Sequence, residues 1–133
     1  VVEYISIRSS YKKQFIDITG MVQEIIGRLN VKEGVCIVYV PHTTAGITIN
    51  EDADPDVIGD IQQHLDRLVP EDAGFRHIEG NSPAHIKSSL VGHSVTIPVE
   101  NGKLLLGRWQ GIFFCEFDGP RSRQVIVKFI REV

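Results

Sequence analysis

Three polar segments hold the side chains in this sequence that could do chemistry. The first is His42-Thr43-Thr44-Ala45-Gly46, which runs on to Asn50-Glu51 and Asp54. The second extends from His77 to Ser89 and contains Asn81, His85, Lys87 and Ser88. The third is Trp109-Gln110, followed by Glu116 and Asp118-Gly119-Pro120-Arg121. Imidazole is the commonest metal ligand, and three histidines with an open position suit a catalytic metal such as Zn2+. His42, His77 and His85 each fall at an element boundary, where chain ends converge; the competing reading is capping or hydrogen-bonded surface histidines. His64 and His93 carry no such signal.

Lys87 and Ser88 lie near the start of a helix opened by Ser82-Pro83. A helix N-terminus offers unpaired N–H groups and the positive end of the dipole, so it attracts phosphate. Lys87 could add a point charge and Arg121 a bidentate fork. A solvated helix face and a turn arginine are the plainer alternative. The spacing is not that of a P-loop. Glu51, Asp54 and Glu116 are carboxylates near element ends, suited to holding Mg2+ or moving a proton. Asp54 has a competing role as a helix N-cap. Glu116 sits between Cys115 and Phe117 in an apolar strand, so it should turn away from the apolar face or into a polar pocket. Trp109 could stack on a heteroaromatic ring or pack. Nucleophile-elbow and dinucleotide fingerprints are absent.

The elements that must position these groups are legible from period and punctuation. Val2–Ile7 and Gln14–Ile18 read as strands. Thr19 can cap a helix with Met21, Val22, Ile25, Ile26 and Leu29 at helical spacing. Val35–Val40 is a continuous apolar run, the pattern of a strand covered on both faces. Asp54-Pro55 opens a second helix with Val57, Ile58, Ile61, Leu65 and Leu68 on one face. Ser82-Pro83 opens a third, with Ile86 and Leu90 on its apolar face and Gly92 as its stop. Val95, Ile97 and Val99 alternate, Asn101-Gly102 marks a hairpin turn, and Leu104–Leu106 is the expected returning strand. Gly111–Phe117 and Gln124–Ile130 complete the β part. Strands outnumber helices without strict alternation, so the class is α+β: largely antiparallel sheet or sandwich with about three helices on one side.

With 133 residues, 42% hydrophobic and 23% charged, the chain fits a single domain over 1–133 with a real core. A net charge of −3 leaves no footprint for nucleic acid. The late basic residues Arg108, Arg121, Arg123, Lys128 and Arg131 read as a solvated face. Cys36 and Cys115 lie in apolar runs without metal spacing, as buried free thiols of a reducing compartment do. With no apolar stretch of spanning length and no leader visible, the expectation is a cytoplasmic protein that does not enter a membrane.

Three long motifs in order resemble the YjbQ family over almost the whole chain. They are His42–Glu51, His77 with Gly80–Leu90, and Leu106–Ile112 followed by Glu116 and Asp118–Arg121. Arg108 stands where the family often has Thr. The resemblance implies a YjbQ-like α+β subunit assembled as a homotrimer. It also implies a weak, secondary thiamine phosphate synthase activity. That reaction joins a hydroxymethylpyrimidine diphosphate to a thiazole phosphate and releases pyrophosphate. Under that reading Thr43, Thr44, Lys87, Ser88 and Arg121 hold phosphate, and Asn81 orients a ligand or a histidine. His42, His77 and His85 bind a metal or a ligand. Glu51, Asp54 and Glu116 hold Mg2+ or act as acid or base. The alternatives are a metal-dependent hydrolase of a small phosphorylated metabolite and a non-enzymatic ligand-binding trimer.

Overall fold

The computed structural model describes residues 2–133. In chain order the elements are β1 (Val2–Arg8), β2 (Gln14–Asp17), α1 (Thr19–Arg28), β3 (Gly34–Tyr39), β4 (Ala45–Glu51), α2 (Pro55–Leu68), α3 (Ser82–Val91), β5 (Ser94–Glu100), β6 (Lys103–Leu104), β7 (Gln110–Glu116) and β8 (Ser122–Arg131). The strands form two sheets, β1-β8-β3-β5-β6 and β2-β7-β4. Every pairing is antiparallel.

Alternation along each strand decides what faces what. Ile5 and Ile7, Cys36 and Val38, Ile97 and Val99, and Val125 and Val127 point inward from the five-stranded sheet. They meet Ala45, Ile47, Ile112 and Phe114 of the three-stranded sheet, and Val22, Ile25 and Ile26 of α1 close the same core. Strand β7 is buried on both faces. Phe113, Cys115 and Phe117 alternate with the inward set and pack under Ile58 of α2 and Ala84 of α3. Both cysteines are buried and free. Burial pushes the Cys36 thiol up to about 11 and raises that of Cys115 further, so neither is a thiolate at neutral pH.

Four local expectations change. Helix α1 has no side-chain cap; Thr19 is its first residue, donates its hydroxyl to Asp17 at 2.6 Å and accepts the Ile112 N–H at 2.8 Å. Helix α3 buries Ala84, Lys87 and Ser88, while Leu90 is 62% exposed. Contact with the Phe113–Phe117 face, rather than hydropathy, sets its orientation. The return from the Asn101-Gly102 turn pairs over Lys103–Leu104 alone. Strand β3 is central, between β8 and β5, yet only one of its faces is covered by this chain. Cys36 and Val38 are buried, whereas Tyr39 on the other face is 44% exposed.

Candidate functional site

The loop between β3 and β4 builds one wall of the site. Continuing the β3–β8 register past Tyr39↔Ile126 would set position 41 opposite Gln124. Position 41 is proline, which has no N–H to give, so the ladder stops there. The next side chain completes it. The His42 imidazole Nε2 lies 3.0 Å from the Gln124 backbone nitrogen and 3.1 Å from its carbonyl oxygen. A neutral ring accepts the first or donates to the second, depending on its tautomer. Among the described residues, Nδ1 has no partner. Burial, then the charge of Arg123, holds the His42 pKa below its usual 6.5, against the opposing Gln124 contact. Both effects favour the neutral ring.

Beneath this wall is a buried ion pair. Glu116 and Arg123 both occupy inward positions, Glu116 in phase with Ile112 and Phe114, Arg123 in phase with Val125 and Val127. The two charges face each other between the sheets, with Glu116 fully buried and Arg123 only 7% exposed. Arg123 donates to Glu116 from Nε at 2.9 Å and from Nη2 at 2.5 Å, and to the Thr44 hydroxyl at 2.9 Å. The Ser9 hydroxyl donates to Glu116 at 2.7 Å, and the Asp118 N–H donates at 3.1 Å. Burial works to raise the Glu116 pKa, but these four donated bonds outweigh it and hold it below 4.5. Glu116 is a fully engaged anion. Such a carboxylate has no free lone pair for Mg2+ or for a substrate proton, which corrects its reading as a catalytic residue. Arg123 likewise leaves the expected solvated basic face.

The opposite wall comes from the loop before α3, the start of α3 and the β7–β8 turn. The Asn81 amide donates to Asp118 Oδ2 at 3.0 Å, and Arg121 donates to the same oxygen at 2.9 Å and to the Asp118 carbonyl at 2.7 Å. Burial would raise the Asp118 pKa, yet Asn81 and Arg121 together keep it below 3.8. Asp118 thus fixes the Arg121 fork, and among the described residues Nη1 has no partner. Among the described residues, the buried acceptor Asn81 Oδ1 has no donor. His77 and His85 meet edge to face, with ring centroids 5.5 Å apart.

Together the walls enclose a cavity of about 470 Å3 lined by His42, Thr43, Thr44, His77, Glu79, Asn81, His85, Arg121 and Arg123, with Pro41 at its edge. Seven of these were expected from the sequence. Five expected residues do not serve this cavity. Lys87 is buried under α2, paired with Asp66 and 6.0 Å from the centroid of the Phe117 ring. Ser88 donates to the Ala45 carbonyl at 2.7 Å, which leaves the His93 Nε2, 2.9 Å away, to donate to Ser88. Asp54 caps α2 by accepting the Asp56 N–H at 2.9 Å. Glu51 ends β4, opposite Gln110 and roughly 20 Å along an extended strand from Thr44. Glu116 lies behind the wall. Two lining residues were missed: Glu79, which is exposed in a loop, and Arg123, whose signal was its inward phase on β8.

As for a metal, Glu51, Asp54 and Glu116 do not fit a shared Mg2+ site, for the reasons just given. His42, His77 and His85 line one cavity, but among the described residues no three His, Cys, Asp or Glu side chains gather closely enough to hold an ion. Trp109 is 53% exposed, with the Arg108 guanidinium 4.8 Å from its ring, so it neither packs in the core nor reaches the cavity.

The family model described as UPF0047 protein YjbQ-like matches residues 3–132. This chain belongs to that family. It is 56% identical to the UPF0047 protein of Methanocaldococcus jannaschii, over 93% of this chain and 90% of that one. It is 49% identical to YugU of Bacillus subtilis, over 95% and 96%. A crystal structure of a YjbQ/UPF0047 family protein from Clostridium acetobutylicum superposes with a TM-score of 0.94 at 55% identity, covering 96% of this chain and 99% of that one. A hypothetical protein from Aeropyrum pernix gives 0.94 at 35% identity, covering 99% of each. The YjbQ-like α+β fold is therefore that of this chain. Among the described residues, no helix is long and apolar enough to cross a membrane.

Proposed function

We propose that the 470 Å3 cavity binds a small phosphorylated metabolite and performs proton-assisted displacement on it, with thiamine phosphate synthesis as the specific reaction. The observation that carries this is the convergence of three imidazoles and the Asp118-anchored Arg121 fork on one cavity. In that reaction the ring nitrogen of the thiazole phosphate attacks the methylene carbon of the pyrimidine diphosphate. The carbon–oxygen bond breaks, and pyrophosphate leaves with the electron pair. Negative charge grows on the departing oxygens, where a preorganised guanidinium is most useful. An imidazole beside it can supply a proton to the leaving group. Asn81 Oδ1, an acceptor without a donor, suits an amino or hydroxyl group of the ligand. A divalent ion would neutralise diphosphate charge; no step here depends on one.

The test uses purified protein with both substrates. Pyrophosphate release above the protein-free rate is expected, falling at least about tenfold in Arg121→Gln and His85→Ala. A rate equal to the protein-free control, or one untouched by both variants, defeats the reading.

A second reading, a metal-dependent hydrolase, draws on the shared lining by His42, His77 and His85. A Zn2+ titration that shifts imidazole NMR signals of all three, with phosphate released from an ester panel, would favour it. Homotrimeric assembly belongs to the first reading. It is supported by the bare outer face of the five-stranded sheet, where Tyr4, Tyr39 and Ile130 are 58%, 44% and 50% exposed. Light scattering should give three times the 14.9 kDa subunit mass; a monomer removes the trimer from the proposal.

A further inference from the structure

Lys87 lines no part of the 470 Å3 cavity, and the proposed chemistry does not use it. Its burial still needs a reason. Lysine is rarely enclosed unless paired, and the Lys87 side chain is only 3% exposed. Its amine donates to Asp66, in the last turn of α2. Lys13, from the β1–β2 connection, reaches the same Asp66 oxygen at 3.1 Å. Burial would raise the Asp66 pKa, but Lys87 and Lys13 together hold it below 3.8. Asp66 is thus an anion that ties α2 to α3.

The tie falls where α2 has little else to hold it. Of the 14 residues of α2, Ile58 alone is buried, near the helix start. Ile61 and Leu65 are half-buried, and Leu68 is 61% exposed. The chain then leaves α2 through the buried Val69 and runs exposed from Pro70 to Gly80. His77 and Glu79 of the cavity are on this run. Among the described residues, its bonds are the Gly80 N–H to the His77 carbonyl at 3.2 Å and contacts of Glu71 with Lys12 and Lys13 at 3.6 and 4.0 Å. The far end of the run is fixed by Asn81 on Asp118 at 3.0 Å. The near end is fixed by Asp66 on Lys87.

Helix α3 connects the tie to the cavity. Successive helical residues turn about 100°, so Lys87 lies about 200° around the axis from His85. His85 faces the cavity and meets His77 edge to face, while Lys87 faces α2. We infer that Lys87 is a positioning residue for the cavity: through Asp66 it pins the end of α2, and so sets the run that carries His77 and Glu79 against His85. The inference rests on the proposed reading of this cavity as the ligand site. It gives the buried lysine a function without contact to the ligand.

The experiment is NMR of the full chain as wild type, Lys87→Met, Lys87→Arg and Lys13→Met, first without ligand and then with inorganic pyrophosphate. Wild type should show a ring-to-ring nuclear Overhauser effect between His77 and His85. Lys87→Met removes the charge and keeps most of the buried volume; it should abolish that effect and leave the His42 signals in place. Pyrophosphate should then bind about tenfold more weakly, in line with one misplaced charge-assisted contact. Lys87→Arg should restore part of both, and Lys13→Met should leave both unchanged. Asp66→Asn keeps an acceptor oxygen for Lys87, so it should fold even if Lys87→Met does not, and should show the same losses in weaker form. A lysine with a merely structural role would lower the urea midpoint and leave the ring contact and the binding as they are. That result overturns the inference, as does a wild type without the ring contact, an equal loss in Lys13→Met, or an Asp66→Asn chain identical to wild type. A ring contact present in wild type and lost in Lys87→Met, with no pyrophosphate bound by either, defeats the phosphate reading alone and leaves the positioning role standing.

Discussion

The two ends of β4 carry the same kinds of residue and do different things. At its start, Thr44 accepts from Arg123, and the opposite charges of Arg123 and Glu116 cancel between the sheets. At its end, Asp52 stands near Asp17 and Glu51, and no cation is paired to Glu51 or Asp52 among the described residues. There, slight burial and then the bond and charge of Asp17 raise the Asp52 pKa above 3.8. The first end backs a cavity with a buried, fully engaged ion pair. The second is an exposed acidic rim whose members cap a helix or face solvent. Burial with a complementary partner, not the presence of polar residues, separates a site from a surface.

The sharpest way to break this comparison is Glu116→Gln, which strands the Arg123 charge between the sheets. A loss of about 3–5 kcal/mol in urea unfolding is expected, the usual cost of removing one partner of a buried pair. The same variant should flatten the acid limb of stability. The Glu116 pKa is held below its unfolded value of 4.5, so its contribution is present above 4.5 and lost as pH falls through the lower folded value. A wild-type stability that stays level from pH 5 to pH 2 would contradict the frame.

Gly119→Ala probes the same end from the backbone. A Cβ there would lie 2.6 Å from Ser9 Oγ and 2.8 Å from Glu116 Cγ, and would strike the Tyr11 carbonyl oxygen. A destabilisation of about 1–3 kcal/mol is expected from this overpacking. A neutral result in thermal unfolding would mean the turn relaxes freely.

At the other end, Asp54→Ala should cost about 1 kcal/mol through the lost cap. Glu51→Gln should change stability by less than about 0.5 kcal/mol. Neither should alter pyrophosphate binding measured calorimetrically; a loss of binding in either would move the site to the acidic rim.

The smallest effect is that of His42. Its NMR titration midpoint should fall below 6.5, because burial and Arg123 disfavour the charged ring. Between that midpoint and 6.5 the unfolded chain binds more protons than the native one, so stability declines as pH drops through the window. A midpoint at or above 6.5 would show that Arg123 does not act on the ring.

The sequence made much of the site legible because element ends are punctuated by residue type. Pro41, Asp54-Pro55 and Ser82-Pro83 mark where strands stop and helices start, and His42 and His85 stand beside such marks. It misled at Lys87 and Ser88, which share the α3 start with Asn81 and His85. A helix turns about 100° per residue, so neighbours face different surroundings. Asn81 and His85 reach the cavity; Lys87 and Ser88 face Phe117 and Ala45. Arg123 was legible in principle, since an arginine in phase with Val125 and Val127 must point inward and needs an anion, and Glu116 in phase with Phe114 is that anion.

By itself, then, the sequence determined the class of fold, the family and the order of the elements, because hydrophobic period and turn residues act locally along the chain. Which polar residues became a site was decided only when the two sheets closed. That step brought Glu116 within hydrogen-bonding distance of Arg123, set His42 against Gln124, 82 residues away in sequence, and carried Glu51 to the far end of its strand. A side chain's charge is written locally; whether it is matched depends on what lies opposite after packing.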